Sequence, residues 1–324
     1  MTRRVLIALD GSELAEQVVP HLLRFIAPDR TELLMMTALS SSVFPLFRNA
    51  IRSLTSEQIA MFNKGKAYEQ VQALTQQLNE TGFRVKSEVL SGAPAESILR
   101  LAEETNVDLI AMSTHGRTGL GLALLGSVAD EVVCNARAPI FLVPPKAVVK
   151  PGALPRTIFL PLDGTLIAET AIPAACQLAQ STNAVIHLVR VVEPHDLEGG
   201  PKNKSASLTS IDSDYAREQP IIRQAVCYLK RIQLRLQLAG IASRYQISVG
   251  APAETITCTA RTENADLIVM STRGRTGVER KVYGSVVSQV ISNAIWPMLI
   301  MRGKVTVSAC ERDVNVVPET SCSC

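Results

Sequence analysis

Short, almost entirely apolar runs alternate along the chain with longer segments in which apolar residues recur at helical spacing. In the first half the apolar runs cover residues 5–9, 33–36, 109–112 and 140–143. Runs of this kind are typical of strands buried on both faces, as in a parallel sheet covered by helices. Each half is predicted as strand, helix, strand, irregular stretch, helix, strand, helix, strand, loop, helix and strand, which favours an α/β fold.

The irregular stretches, at residues 40–62 and 194–219, both follow the second predicted strand. A loop in that position lies at the carboxyl edge of a parallel sheet, where ligands bind. Lids over a ligand and plain surface loops are both consistent with the sequence.

The chain repeats itself. GAPAE begins at Gly92 and again at Gly250, and NVDLIAMSTHGRTG from Asn106 recurs as NADLIVMSTRGRTG from Asn264, at the same offset. The openings RRVLIALDGS and RTIFLPLDGT also correspond. The repeat predicts two tandem doubly wound Rossmann-like domains, each with a five-stranded parallel sheet of order 3-2-1-4-5 flanked by helices.

Prolines and a glycine interrupt the periodicity between the copies. We expect a first domain at residues 1–146, a linker at 147–154, a second domain at 155–303 and a disordered tail at 304–324 that carries three of the seven cysteines.

Composition narrows the classes of partner. The chain has 324 residues, 47% of them hydrophobic and 19% charged, and a net charge of +3 spread among acidic residues. Neither nucleic acid nor a membrane is expected as a partner. The apolar run after the first arginines is too short for a signal peptide, and the remaining cysteines fall singly in predicted helices, so a cytoplasmic location is expected.

A glycine-rich loop, STHGRTGLGLALLGSV, follows the fourth predicted strand and precedes a helix. It is not a dinucleotide fingerprint, because Leu124 stands where that pattern needs a third small residue. It is not a Walker loop, because Leu122 or Ser127 stands where the lysine is required.

Both copies nevertheless keep a glycine and a serine at the predicted helix start, with an arginine earlier in the loop. Free amides at a helix start suit a phosphate, and a serine hydroxyl and an arginine add hydrogen bonds. The alternative is that the serines only cap their helices and the glycines only turn the chain.

Asp10 and Asp163 each end the first strand of a copy, at the point where the sheet order reverses and a crevice opens. A carboxylate there is a natural acceptor for sugar hydroxyls. The alternative is helix capping, because Asp10 and Glu13 have capping-box spacing. Leu166 replaces that glutamate in the second copy, so capping alone does not explain both aspartates.

His115 corresponds to Arg273, which cannot act as a general base because it stays protonated. A cation near phosphate, or an exposed loop residue, suits both copies better. Nucleophile elbows, paired metal-ligand motifs and conspicuous acid pairs do not occur in the sequence, which favours binding without efficient turnover.

The loop motif, with an aspartate closing the first strand, resembles the nucleotide-binding motif of the universal stress protein family, here in a tandem form of the ATP-binding type. That motif reads Gly, two residues, Gly, nine residues, Gly, then Ser or Thr. Both copies depart from it at the first position, where Ser113 and Ser271 replace glycine.

The resemblance implies contacts to the base, ribose and phosphates from loops at one edge of each sheet. In the first copy the residues are Asp10, Ala38, Ser113, His115, Gly116, Arg117, Gly126, Ser127 and Val128. In the second they are Asp163, Val191, Ser271, Arg273, Gly274, Arg275, Gly284, Ser285 and Val286.

The implied function is that of a stress-response regulator that binds ATP, or AMP or ADP, with or without Mg²⁺, and changes its assembly or protein partners with nucleotide state. The resemblance also implies that the last strands of the two copies meet in an internal pseudodimer, with a homodimer as a further assembly. Two alternatives remain: an interaction protein of the same fold without nucleotide, and a slow ATPase. A true enzyme with an adenylate or phosphoryl intermediate would need a base or nucleophile that the copies do not share.

Overall fold

The computed structural model describes residues 2–39, 56–115, 125–148, 154–197, 219–273 and 284–303. The first half runs in the order β1 (Arg3–Leu9), α1 (Glu13–Glu16), α2 (Val18–Leu22), β2 (Thr31–Leu39), α3 (Ser56–Glu80), β3 (Arg84–Ser91), α4 (Pro94–Glu104), β4 (Leu109–Ser113), α5 (Ser127–Asn135) and β5 (Ile140–Val143). The second half runs in the order β6 (Thr157–Pro161), α6 (Leu166–Glu169), α7 (Ile172–Thr182), β7 (Val185–Val192), α8 (Pro220–Leu238), β8 (Ser243–Val249), α9 (Pro252–Thr262), β9 (Leu267–Arg273), α10 (Ser285–Asn293) and β10 (Met298–Gly303).

The strands in the described residues form one sheet of order β3-β2-β1-β4-β5-β10-β9-β6-β7-β8. Within each half the neighbouring strands are parallel, and the order is the predicted 3-2-1-4-5. The predicted α/β class and strand order are therefore confirmed.

The two halves join through their last strands. β5 and β10 pair antiparallel, with Leu299 opposite Phe141 at the centre of the register. The expectation that the last strands of the copies meet is confirmed, and the pairing removes the edge that each five-strand sheet would otherwise leave unpaired.

Helices cover both faces of the sheet. Side chains on β1 alternate between the two core clusters, with Val5 and Ile7 on one face and Leu6 on the other. Helices α2, α3, α7 and α8 contribute to the first cluster, and α4, α5, α9 and α10 to the second. Burial on both faces explains why the strands are apolar at successive positions.

Two local expectations are wrong. The stretch at 40–62 is not irregular throughout, because α3 begins at Ser56. The helix after the first strand is also not continuous: in each half a four-residue helix is followed by a second helix that contains Pro20 or Pro173. Proline has no N–H for the residue four positions earlier, so the hydrogen-bond ladder of a single helix is interrupted there.

An ion pair links the two halves next to the first residue of β9. Arg24, just after α2, donates to Asp266 Oδ1 at 2.9 Å, and the two side chains are 9% and 5% exposed. The other oxygen of Asp266 accepts from the backbone N–H groups of Arg156 and Thr157 at 2.8 and 3.2 Å. The contact therefore ties the first half to the start of β6 and β9.

The four cysteines in described residues lie in helices, as expected: Cys134, Cys176, Cys227 and Cys258. The described helices include none with both the length and the apolar character needed to cross a membrane.

Candidate functional site

The turn after β1 is organised by the carboxylate of Asp10. Asp10 Oδ1 accepts hydrogen bonds from the N–H of Ser12 at 3.0 Å and from its hydroxyl at 2.6 Å. Ser12 Oγ in turn accepts from the N–H of Ala15 at 3.2 Å, so Ser12 is the N-cap of α1. The interpretation of Asp10 as the first member of a capping box is wrong, because Asp10 holds the capping residue rather than capping the helix itself.

The second half repeats this turn. Asp163 Oδ1 accepts from the N–H and the hydroxyl of Thr165, at 2.8 and 2.6 Å, and Thr165 caps α6 through the N–H of Ala168. The glutamate missing from the second copy is therefore irrelevant to the turn. Both carboxylates have a structural role at the end of the first strand, in addition to any role toward a ligand.

Gly126 precedes α5 where the chain passes close to the end of β4. Its N–H donates to the carbonyl of Thr114 at 2.8 Å. A Cβ at position 126 would lie only 3.0 Å from that same oxygen. This close approach of two backbone segments favours glycine at position 126.

Gly284, the counterpart before α10, requires glycine for a different reason. Its φ is +78°, a conformation that side chains disfavour, whereas a Cβ there would meet no atom of a described residue within 4 Å. The two helix starts are therefore similar in sequence but not identical in backbone.

The serines after these glycines do not cap the helices. Gly126 and Gly284 are themselves the N-cap residues, and Ser127 and Ser285 are the first, exposed residues of α5 and α10. The interpretation of both serines as caps is wrong. Each serine belongs to the first turn of a helix nine residues long. The backbone N–H groups of that first turn have no hydrogen-bond partner inside the helix. A phosphate fits such a donor set.

Ser113 and Thr114 at the end of β4 are buried. The hydroxyl of Ser113 donates to the carbonyl of His115, and Thr114 Oγ1 lies 3.0 Å from His115 Nδ1. The other ring nitrogen of His115, Nε2, is buried and has no hydrogen bond to any described residue. The imidazole is held by its neighbour, and one of its nitrogens is unsatisfied.

The counterpart Ser271 makes a different contact. Its hydroxyl lies 2.8 Å from Thr170 Oγ1, which donates to the carbonyl of Ile167. Gln17 occupies the place of Thr170 in the first half, and its Oε1 is a buried atom without a described hydrogen bond. The serines that replace glycine in the motif therefore hold loop backbone in one half and a helix in the other.

The remaining sequence-predicted residues fall into two groups. Ala38 and Val191 lie at the carboxyl ends of β2 and β7, Arg273 is the last residue of β9, and the backbones of Val128 and Val286 belong to the first turn of α5 and α10. Four others lie outside the described residues: Gly116, Arg117, Gly274 and Arg275.

β1 lies between β2 and β4 in the parallel sheet. Asp10, Ala38 and Ser113, which stand at the ends of these strands, are therefore at the same, carboxyl edge. The second half brings its own set together at the corresponding edge, after β6, β7 and β9. Among the described residues, no group of three or more His, Cys, Asp or Glu side chains is placed to hold a metal ion.

A cluster of charged side chains near Asp163 was not predicted from the sequence. The guanidinium carbon of Arg190 lies 5.4 Å from the ring centre of Tyr228, and Glu169 pairs with Arg231 and Arg235 at 3.8 and 3.9 Å. Burial and the nearby Glu169 raise the pKa of the Tyr228 hydroxyl far above its usual range. A comparison of the two copies could have indicated this cluster, because Arg190 in the second copy corresponds to the uncharged Thr37 in the first.

The other three described histidines differ in burial. His21 and His187 are buried, and burial lowers the pKa of both, that of His187 to about 4. His195 is 70% exposed beside Glu193 and Asp196.

The sequence profile described as "Universal stress protein family" matches residues 1–144 and 155–302. Universal stress protein MJ0531 of Methanocaldococcus jannaschii is 31% identical over 142 residues, 44% of this chain and 81% of the relative. Universal stress protein MJ0577 of the same organism is 28% identical over 154 residues, 44% of this chain and 95% of the relative.

Among solved structures, a universal stress protein from Archaeoglobus fulgidus superposes with a TM-score of 0.65 at 19% identity, covering 93% of this chain and 97% of that one. At this identity the superposition supports the fold alone. The profile spans both repeats and leaves out only the segment between them and the tail. The chain therefore belongs to the universal stress protein family, in a tandem form with two copies of the family's domain.

Proposed function

We propose that this chain binds adenine nucleotides, ATP foremost, at the carboxyl edge of the sheet in each half, and acts as a stress-response regulator whose assembly or partners change with the bound nucleotide. One observation carries the proposal: both halves place an ordered carboxylate and a glycine-capped helix start at the same edge of the sheet.

The chemistry of the two features is complementary. The helix start offers backbone N–H groups and an exposed serine hydroxyl to a phosphate, and the macrodipole favours a negative charge there. The carboxylate after the first strand is an acceptor for ribose hydroxyls. The N–H of Gly126 donates to the Thr114 carbonyl at 2.8 Å, which brings the start of α5 beside the end of β4 and so to the same edge as the carboxylate.

A titration with ATP, with and without Mg²⁺, tests the proposal on the wild type and on Gly126→Val and Gly284→Val. Each substitution is expected to remove one site, so the stoichiometry falls from two nucleotides per chain to one. Gly65→Ala is the matched control, because Gly65 lies in α3 and a Cβ there would meet no atom within 4 Å among the residues that the structure describes. Equal binding in all four proteins would overturn the assignment of the sites.

A second function, that of an interaction protein without nucleotide, has its own support. The turns explain Asp10 and Asp163 without a ligand, and the hydroxyls of Ser113 and Ser271 are engaged within the protein. This alternative predicts that no nucleotide binds at any concentration up to the millimolar range and that the glycine variants differ from the wild type only in stability.

A further inference from the structure

At the carboxyl edge of the sheet, the second crevice (after β6, β7 and β9) carries an arginine at a described position where the first crevice (after β1, β2 and β4) has a neutral residue. Arg190 is near the carboxyl end of β7, and the corresponding residue of β2 is Thr37, whose side chain is buried. Arg190 lies on the face of β7 that packs against α8, toward the loop that carries Asp163. The two halves therefore differ in charge beside an otherwise similar turn.

The guanidinium of Arg190 is held between a backbone turn and an aromatic ring. A Cβ on Gly164 would lie 2.8 Å from Arg190 Nη1, and the guanidinium carbon of Arg190 is 5.4 Å from the centre of the Tyr228 ring. Gly164 directly follows Asp163 and has a φ of +85°. The cation is thus fixed at the residue next to the candidate ribose carboxylate.

The charge of Arg190 is not neutralised by an ion pair with any described residue. Glu169, the nearby glutamate, pairs instead with Arg231 and Arg235. One oxygen of Asp163 is engaged by the N–H and hydroxyl of Thr165. An anionic ligand group at this turn would therefore meet a positioned guanidinium that forms no ion pair with a described carboxylate.

The structure assigns to the second crevice a subsite for a phosphate on the ribose, formed by Arg190 beside Asp163, so that this crevice prefers adenine nucleotides phosphorylated on the 2′ or 3′ oxygen. The assignment rests on the proposed function. In dinucleotide-binding folds, a lone carboxylate at the ribose selects free hydroxyls, and an arginine nearby accommodates a 2′-phosphate. By the same chemistry the first crevice, with Asp10 and Thr37, prefers unmodified ribose.

Calorimetry with full-length variants that keep one crevice tests this difference. Gly126→Val leaves the second crevice and Gly284→Val the first, and each is titrated with adenosine 5′-monophosphate, adenosine 2′,5′-bisphosphate and adenosine 3′,5′-bisphosphate. The second crevice is expected to bind one bisphosphate roughly tenfold more tightly than the monophosphate, as suits one additional charge-assisted hydrogen bond. The first crevice is expected to prefer the monophosphate.

Arg190→Thr, which introduces the residue of the first half, is then placed in the Gly126→Val background. The ratio of bisphosphate to monophosphate affinity is expected to fall about tenfold, and Arg190→Lys to retain part of it because the charge remains. Arg235→Thr is the matched control: its side chain is 65% exposed and paired with Glu169, and its loss should leave the ratio unchanged.

The outcomes separate the two proposals. If the monophosphate binds but neither bisphosphate is preferred, or if Arg190→Thr weakens all three ligands equally, the subsite is wrong while nucleotide binding stands. If none of the three ligands binds to either crevice, the proposed function fails and this inference fails with it.

Discussion

Replacing Arg24 with alanine should destabilise both halves of the chain together. Arg24 belongs to the first half, and its partner Asp266 stands at the start of β9 in the second, at 2.9 Å. With side chains 9% and 5% exposed, neither charge can turn to water when the other is removed. Breaking a buried pair by removing one partner costs about 3–5 kcal/mol.

The lower end of that range applies here, about 3 kcal/mol, because two backbone N–H groups continue to stabilise the Asp266 carboxylate. For a chain of 324 residues this loss lowers the thermal midpoint by about 4 °C. Differential scanning calorimetry of wild type and Arg24→Ala measures the change directly, and circular dichroism at 25 °C checks that both variants start folded.

Gln177→Ala is the matched control. Gln177 occupies in the second half the place of Arg24 and is exposed, so its replacement should change the free energy of unfolding by less than about 0.5 kcal/mol. If Arg24→Ala lowers the free energy of unfolding by less than about 1 kcal/mol, this ion pair does not couple the stability of the two halves.

Three further predictions concern local features. Ser12→Ala removes the cap of α1 and should cost about 1 kcal/mol in urea unfolding; no loss would show that the Asp10 turn forms without the cap. Gly284→Ala should cost roughly 1–3 kcal/mol through its φ of +78°, and an unchanged midpoint would mean that the backbone relaxes there. His187 has a folded pKa lowered from 6.5 to about 4, chiefly by burial. The unfolded chain therefore binds the proton first, and stability should fall as pH drops from about 6.5 to about 4. His187→Leu should flatten that part of the curve, and an identical slope in both proteins would contradict the assignment.

The fold was predictable because its main signals are local and repeated. Apolar runs such as that of β1 identify strands buried on both faces. Because the sequence repeats, the order of elements predicted for one half also applies to the other. The start of α3 was not predictable in this way, because the segment at Ser56 is polar and contains Gly65. Pro20 stands in the sequence, but apolar residues at helical spacing on both sides of it favour one continuous helix, so the break was not predicted.

The candidate site was predictable in its residue types but not in their contacts. Aspartate at the end of β1 indicated a polar group at the sheet edge, yet only the structure shows that Ser12 caps α1 while Asp10 holds Ser12. Periodicity also cannot bring Arg190 to Gly164, because that contact joins residues from two strands' ends through the tertiary fold. The Arg24–Asp266 pair is likewise a contact between halves that no local pattern encodes.

The most direct test of nucleotide binding is to denature the purified wild-type protein and identify any released small molecule by chromatography, followed by ATP titration of the stripped chain. If each half binds a nucleotide, we expect an adenine nucleotide in the released fraction, or saturable binding of two ATP molecules per stripped chain. No released nucleotide together with no ATP binding, in the presence and in the absence of Mg²⁺, would contradict it.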